Sequence, residues 1–289
     1  MDKIKISNEY VRAVFDSDWG GHFLALQFNH SDLGWVDIFM TEIEPTKSSQ
    51  NTPFFSCLTM VPFANRIRDG VVVGADDRFQ FPINLPEDGP AIHGTGVANN
   101  WSVVKHTDTS VVLKYMCAND QNHYHFEAQL LTSINNKTLD VELRLRNLSA
   151  HALPMGLGFH SWFANIKQSE VRFDHPMHPD FNSPWTLFPS PDFGHLPTTF
   201  KPSEFYGLDA NFEDWNGRVG VQLGAISTQL DMTVKGALSE IHMFVEDEND
   251  RFCLEPVSHK PGRLNEKLAC VEAHKQISGT MTLAMEKIK

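Results

Sequence analysis

Asp140-Val141-Glu142-Leu143-Arg144-Leu145-Arg146 alternates polar and apolar side chains without a break. Successive side chains of an extended strand point to opposite faces, so this run predicts a strand with one buried and one wet face. The same period of two runs through much of residues 226–234 and, more loosely, 126–134. It recurs over residues 10–15, 101–106, 111–117, 219–223, 241–245 and 277–285. No window carries a helical apolar stripe bracketed by capping residues. Pro, Gly, Asn and Asp, the usual turn formers, recur between the strand candidates. So many antiparallel strands predict an all-β fold, either a large sandwich or several stacked sheets. No shift in composition marks a boundary, so residues 1–289 read as a single domain. Residues 175–204 are rich in proline and lack periodicity, which predicts a long ordered loop of the kind that shapes a binding site.

The formal charge of −12 argues against nucleic acid, which demands a basic footprint, and against an anionic membrane surface. Cys57, Cys117, Cys253 and Cys270 form no Cys-x-x-Cys pair and read as reduced core residues. With no apolar leader after Met1, that predicts a cytoplasmic protein. No run approaches the roughly 18 apolar residues of a membrane span. Asn136-Lys137-Thr138 and Asn147-Leu148-Ser149 match the glycosylation triplet, a match without meaning where no secretion is expected. A Gly-x-Ser-x-Gly elbow, a phosphate loop and a dinucleotide fingerprint are all missing, so acyl transfer and nucleotide cofactors have no support.

Four short segments carry chemistry. In Gly156-Leu157-Gly158-Phe159-His160-Ser161-Trp162-Phe163, a histidine sits between aromatic rings beside two glycines that admit a close backbone approach. Imidazole moves protons near neutral pH, and flat rings suit the C–H faces of a sugar. Ile92-His93-Gly94 holds a second histidine on a glycine turn. Pro62-Phe63-Ala64-Asn65-Arg66-Ile67 offers a guanidinium whose fixed donors suit hydroxyls or a carboxylate. Phe252-Cys253-Leu254-Glu255-Pro256 places a carboxylate inside an apolar strand, where partial desolvation would raise its basicity. A fifth residue, Asp209, lies ahead of Trp215-Asn216-Gly217 and offers an acceptor for hydroxyls. The cluster Asp174-His175-Pro176-Met177-His178-Pro179-Asp180 looks like metal ligands, but its prolines and irregular spacing favour a loop. His123 and His125 share one strand face without further ligands. No metal is expected.

Taken in chain order, the segments resemble the aldose 1-epimerases, also called galactose mutarotases. Ala64-Asn65-Arg66-Ile67, Ile92-His93-Gly94 with Trp101 behind it, Gly158-Phe159-His160-Ser161-Trp162-Phe163 and Leu254-Glu255-Pro256 with Asn265 carry the match over roughly residues 10–285. Leu208-Asp209 through Gly217 is similar more loosely. Trp162 stands where tyrosine is usual, and residues 256–264 depart from the commoner loop, so the resemblance leaves the sugar unnamed. It implies a galactose mutarotase-like sandwich of stacked sheets and interconversion of the α and β anomers of a free aldohexose. It also implies Glu255 as the base and His160 as the acid, with no cofactor. His93, Arg66 and Asp209 would hold the sugar beside Asn65, with Trp162 against its ring face. The partner expected is the sugar alone, in a monomer or homodimer. Three other readings stay open. A hexose-6-phosphate epimerase would use Arg68, Lys260 or Arg263 as extra cations. A non-catalytic sugar binder would not need both proton carriers. A glycosidase would need a second acid segment, which is not evident.

Overall fold

The computed structural model describes residues 3–40, 56–73, 78–84, 89–119, 124–180, 193–212, 214–246, 250–264 and 270–288. Two large antiparallel sheets dominate them. The quoted run lies in the strand Thr138–Asn147, whose Leu139, Val141, Leu143 and Leu145 are wholly buried while their neighbours are not. This strand pairs with Tyr124–Asn135 on one side and Gln276–Lys287 on the other. The nine-stranded sheet around it runs from Ser102–Thr107 through Ser110–Asn119 to Thr228–Gly236, Arg218–Leu223, Ser169–Arg172 and Thr199–Phe200.

The second sheet has ten strands. Ile4–Ser7, Val11–Asp16, His22–His30 and Cys57–Met60 lead into Gly158–Ala164, Arg251–Val257, Glu240–Glu246, Asp209–Phe212 and Pro179–Asp180, with Gly34–Asp37 paired to His22–His30. One apolar core joins the two sheets: Phe15, Phe163, Met243 and Phe252 from the second, Val111, Leu143 and Leu283 from the first. Phe163 stacks on Phe252 with ring centres 5.1 Å apart, and Phe39 meets Phe163 edge-on at 5.6 Å. The architecture is the all-β sandwich of stacked sheets that the alternation predicted.

Three expectations change in detail. The strand predicted over residues 101–106 occupies Ser102–Thr107 and is exposed on both faces. It is a sheet edge with a register shift between Val103 and Lys105, a usual way to blunt an edge, and only Trp101 before it is buried. The strand predicted from residue 226 starts at Thr228, because Gly224–Ile226 forms a 3-10 turn and Ser227 takes a left-handed backbone (φ 48°). Within residues 175–204, the described parts are partly stranded rather than pure loop: Pro179–Asp180 pairs with Asp209–Phe212, and Thr199–Phe200 with Ser169–Arg172. His123 and Asn265 lie outside the described residues.

Candidate active site

Four adjacent strands of the ten-stranded sheet make the floor of the site. The pairing that sets Ser161 opposite Leu254 and Gly158 opposite Val257 brings His160 level with Glu255. The next pairing sets Glu255 opposite His242, and the next sets His242 opposite Asn211. Two residues along each strand lies a second row on the same face: Trp162, Cys253, Phe244 and Asp209. The intervening residues Leu254, Met243 and Ala210, with Phe163 just past Trp162, turn to the opposite face and join the apolar core. These strands are therefore buried on both sides, and their ionisable side chains His160, Glu255, His242 and Asp209 share the floor, while Ser161 faces the other way and bonds Cys57.

The roof comes from loops. Arg66 pairs across a two-stranded ribbon with Ile92, beside His93. Asn65 and His93 both adopt left-handed backbones (φ 56° and 57°), a conformation that costs most non-glycine residues about 1–3 kcal/mol and clusters at functional sites. They are locked reciprocally: the His93 N–H donates to the Asn65 carbonyl at 2.9 Å, and the Asn65 N–H donates to His93 Nδ1 at 3.2 Å. His259 braces the same loop from behind. Its Nε2 accepts the Ala64 N–H at 3.1 Å, and its Nδ1 donates to the Lys260 carbonyl at 2.9 Å. A side chain on Gly156 would strike this ring, since its Cβ would lie 2.2 Å from His259 Cδ2. That contact accounts for the first of the two glycines beside the histidine motif.

Floor and roof enclose a cavity of about 160 Å³ lined by Asn65, Arg66, His93, His160, Trp162, Asp209, His242, Phe244 and Glu255. Every site residue expected from the sequence lines it. His242 and Phe244 were not among them. A larger cavity of about 430 Å³, beside Trp35 and Ile226, contains one carboxylate, Asp37, and neither histidine nor arginine. Size favours the larger cavity, but the clustered histidines, carboxylates and arginine line the smaller one.

Glu255 is 3 % exposed. Its Oε1 lies 3.2 Å from His160 Nε2 and accepts a hydrogen bond from the Cys253 thiol at 3.1 Å. Burial, followed by the charge of Glu255, holds that thiol well above its ordinary range, so it stays protonated and donates. Glu255 Oε2 is buried without a hydrogen-bond partner among the described residues, as is His160 Nδ1. One carboxylate oxygen is thus fixed by the protein, and the other faces no protein donor among the described residues.

The histidines differ in charge. Burial lowers the His160 pKa, with Glu255 pulling the other way. Burial, then the charges of His160 and Arg66, pushes His93 well below its ordinary value, so it is neutral. Because its Nδ1 accepts from Asn65, neutral His93 carries its hydrogen on Nε2 and is a fixed donor. His242 goes the other way. Burial opposes its charge, but the Asp209 hydrogen bond and the Glu255 charge outweigh it and raise its pKa. Its Nε2 donates to Asp209 Oδ1 at 2.8 Å.

Trp162 lies 4.8 Å from the His160 ring, with the Arg251 guanidinium 4.7 Å over its indole. Among the described residues, His160, Cys253 and Glu255 bring three possible metal-donor atoms within 4.8 Å of one another. A soft cation there would occupy the same Nε2 and carboxylate that acid–base chemistry needs.

The profile of the aldose 1-epimerase family matches residues 2–287. The uncharacterized protein YphB of Escherichia coli (strain K12) is 26% identical over 245 residues, covering 76% of this chain and 78% of that one. Among solved structures, a candidate aldose 1-epimerase from E. coli K12 superposes with a TM-score of 0.80 at 22% identity, covering 99% of each chain. A GalM/aldose epimerase homologue from C. elegans gives 0.78 at 13% identity, covering 100% of this chain and 99% of that one.

Proposed function

The chain belongs to the aldose 1-epimerase family, and we propose that within it this protein interconverts the α and β anomers of a free aldohexose. The observation that carries this reading is the pair Glu255–His160, 3.2 Å apart and buried at the floor of a sugar-sized cavity. Anomer exchange needs one proton removed from the C1 hydroxyl and one delivered to the ring oxygen. The C1–O5 bond then breaks, C1–C2 rotates, and the ring closes on the other face. Glu255 takes the first proton through Oε2, the oxygen that the protein leaves unpartnered. His160, beside it, gives the second. The roles reverse on closure, so no proton is consumed. Each such group typically contributes about 10²–10⁴-fold. His93 Nε2–H and Arg66 hold hydroxyl or ring oxygens, Asp209 and Asn65 add further polar contacts, and Trp162 covers the ring face.

A phosphorylated hexose has less support. Arg68, Lys260 and Arg263 do not line the cavity, and Lys260 lies 3.7 Å from Asp180.

Polarimetry on freshly dissolved α-glucose and α-galactose tests the reading. The wild type accelerates the drift in rotation on at least one aldohexose. Glu255→Gln, which keeps the side chain's size, brings the drift back to the buffer rate while circular dichroism stays native. A Glu255→Gln protein as fast as the wild type overturns the assignment of the base.

A further inference from the structure

His242 was not anticipated from the sequence, and its position is symmetrical with that of His160. Glu255 sits on the central strand of three, with His160 on one neighbour and His242 directly opposite it on the other. All three share the floor face, and side chains paired this way have Cβ atoms about 4.5–5.5 Å apart. The His242 ring is 3 % exposed and lines the cavity. Asp209 grips it through Nε2, and Nδ1 is buried without a hydrogen-bond partner among the described residues. A buried ring nitrogen without a partner is costly unless a ligand supplies one.

We propose that His242 is a second catalytic acid of this site, delivering its Nδ1 proton to the ring oxygen of the aldose while Glu255 takes the proton of the C1 hydroxyl. The inference rests on the epimerase reading above and deepens it. The step balances without a co-reactant. The O1–H bond gives its proton to Glu255, C1=O forms, the C1–O5 electron pair goes to the ring oxygen, and that oxygen takes the His242 proton. Carboxylate and imidazolium become carboxylic acid and imidazole, and closure restores them. A neutral imidazole cannot act as this acid, because losing its remaining N–H proton would leave an imidazolate. His160, with its pKa lowered by burial, must first capture a proton to serve. His242 holds a proton more readily than an ordinary histidine, because the Asp209 hydrogen bond and the Glu255 charge outweigh its burial.

The groups facing His242 are Asp209 and Glu255, whose charges stabilise its cation, and Arg66, whose charge opposes it. His160 and His93 line the same cavity, and Glu240, two residues back on its own strand, is bonded to Asn211.

The test is the pH profile of kcat/KM, with the uncatalysed drift subtracted, for wild type, His242→Gln, Asp209→Asn and Glu255→Gln. The probe is whichever of glucose and galactose the wild type accelerates. We expect the wild-type alkaline limb to lie above 6.5, the ordinary histidine value. His242→Gln should lose about 10²–10⁴-fold in kcat and move that limb below 6.5, where His160 alone remains. Asp209→Asn keeps the ring but removes its carboxylate, so it should shift the limb the same way even if the Gln variant does not fold. A wild-type limb below 6.5 overturns the proposal. So does a folded His242→Gln variant with an unmoved limb, whatever its rate, since rate loss alone is what a structural role produces. If either result comes with an active wild type and an inactive Glu255→Gln, only the role of His242 falls. A wild type that accelerates neither sugar ends both readings.

Discussion

At the scale of single residues, the candidate site depends on which atoms the protein leaves without partners. Glu255 Oε1 is held by a thiol and an imidazole, whereas Oε2 is buried and unpaired. Two bracing histidines, His22 and His259, look different, because both their ring nitrogens are used. His22 accepts the Thr59 N–H at Nδ1 and meets the Val97 carbonyl at Nε2, each at 2.8 Å. Burial lowers its pKa to about 4, with the Val97 bond and Asp16 pulling weakly the other way. The folded protein therefore binds this proton less readily than the unfolded chain. Stability from His22 is complete above pH 6.5 and is lost progressively as pH falls toward 4, by about 3 kcal/mol in all. Urea midpoints measured across that window should fall with acid in the wild type. His22→Gln should be less stable at neutral pH, with a visibly flatter slope between pH 6.5 and 4.

At the scale of elements, the strands differ in how well their sequences revealed them. Thr138–Asn147 and Gln276–Lys287 announce themselves by alternation, because one face of each is buried and the other is wetter. Gly158–Ala164, Asp209–Phe212 and Arg251–Val257 do not, since both faces are buried and polar residues that line the cavity break the pattern on one of them. Their motifs made them visible, not their period. His242 was missed for a related reason. Its strand was recognisable, but its register against Glu255 follows from pairing Glu240–Glu246 with Arg251–Val257, which no single residue signals. A histidine and a phenylalanine two apart, inside a strand next to the Glu255 segment, were the available clue. The roof is equally a matter of backbone. Gly94 has φ 81°, and a Cβ there would lie 2.0 Å from the Val61 carbonyl oxygen. Gly94→Ala must move the turn that carries His93. It should cost about 1–3 kcal/mol in urea denaturation and raise KM more than it lowers kcat, as loss of a substrate contact does.

At the scale of the whole molecule, the net charge of −12 surrounds a cavity whose ionisable groups include both signs. An uncharged aldose feels no long-range force from that field, whereas an anionic sugar is repelled by it. Raising ionic strength from about 0.01 to 1 M shrinks the Debye length from about 30 to 3 Å. The kcat/KM for a neutral hexose should stay level across that range. For a hexose 6-phosphate it should start low and rise. Two-dimensional exchange NMR on a panel of free aldohexoses tests the central claim most directly, since it follows the α and β C1 protons at equilibrium. The account predicts exchange peaks well above the buffer rate with wild-type protein and only the buffer rate with Glu255→Gln. Equal exchange with and without the wild-type protein on every sugar, or undiminished exchange with Glu255→Gln, would contradict it.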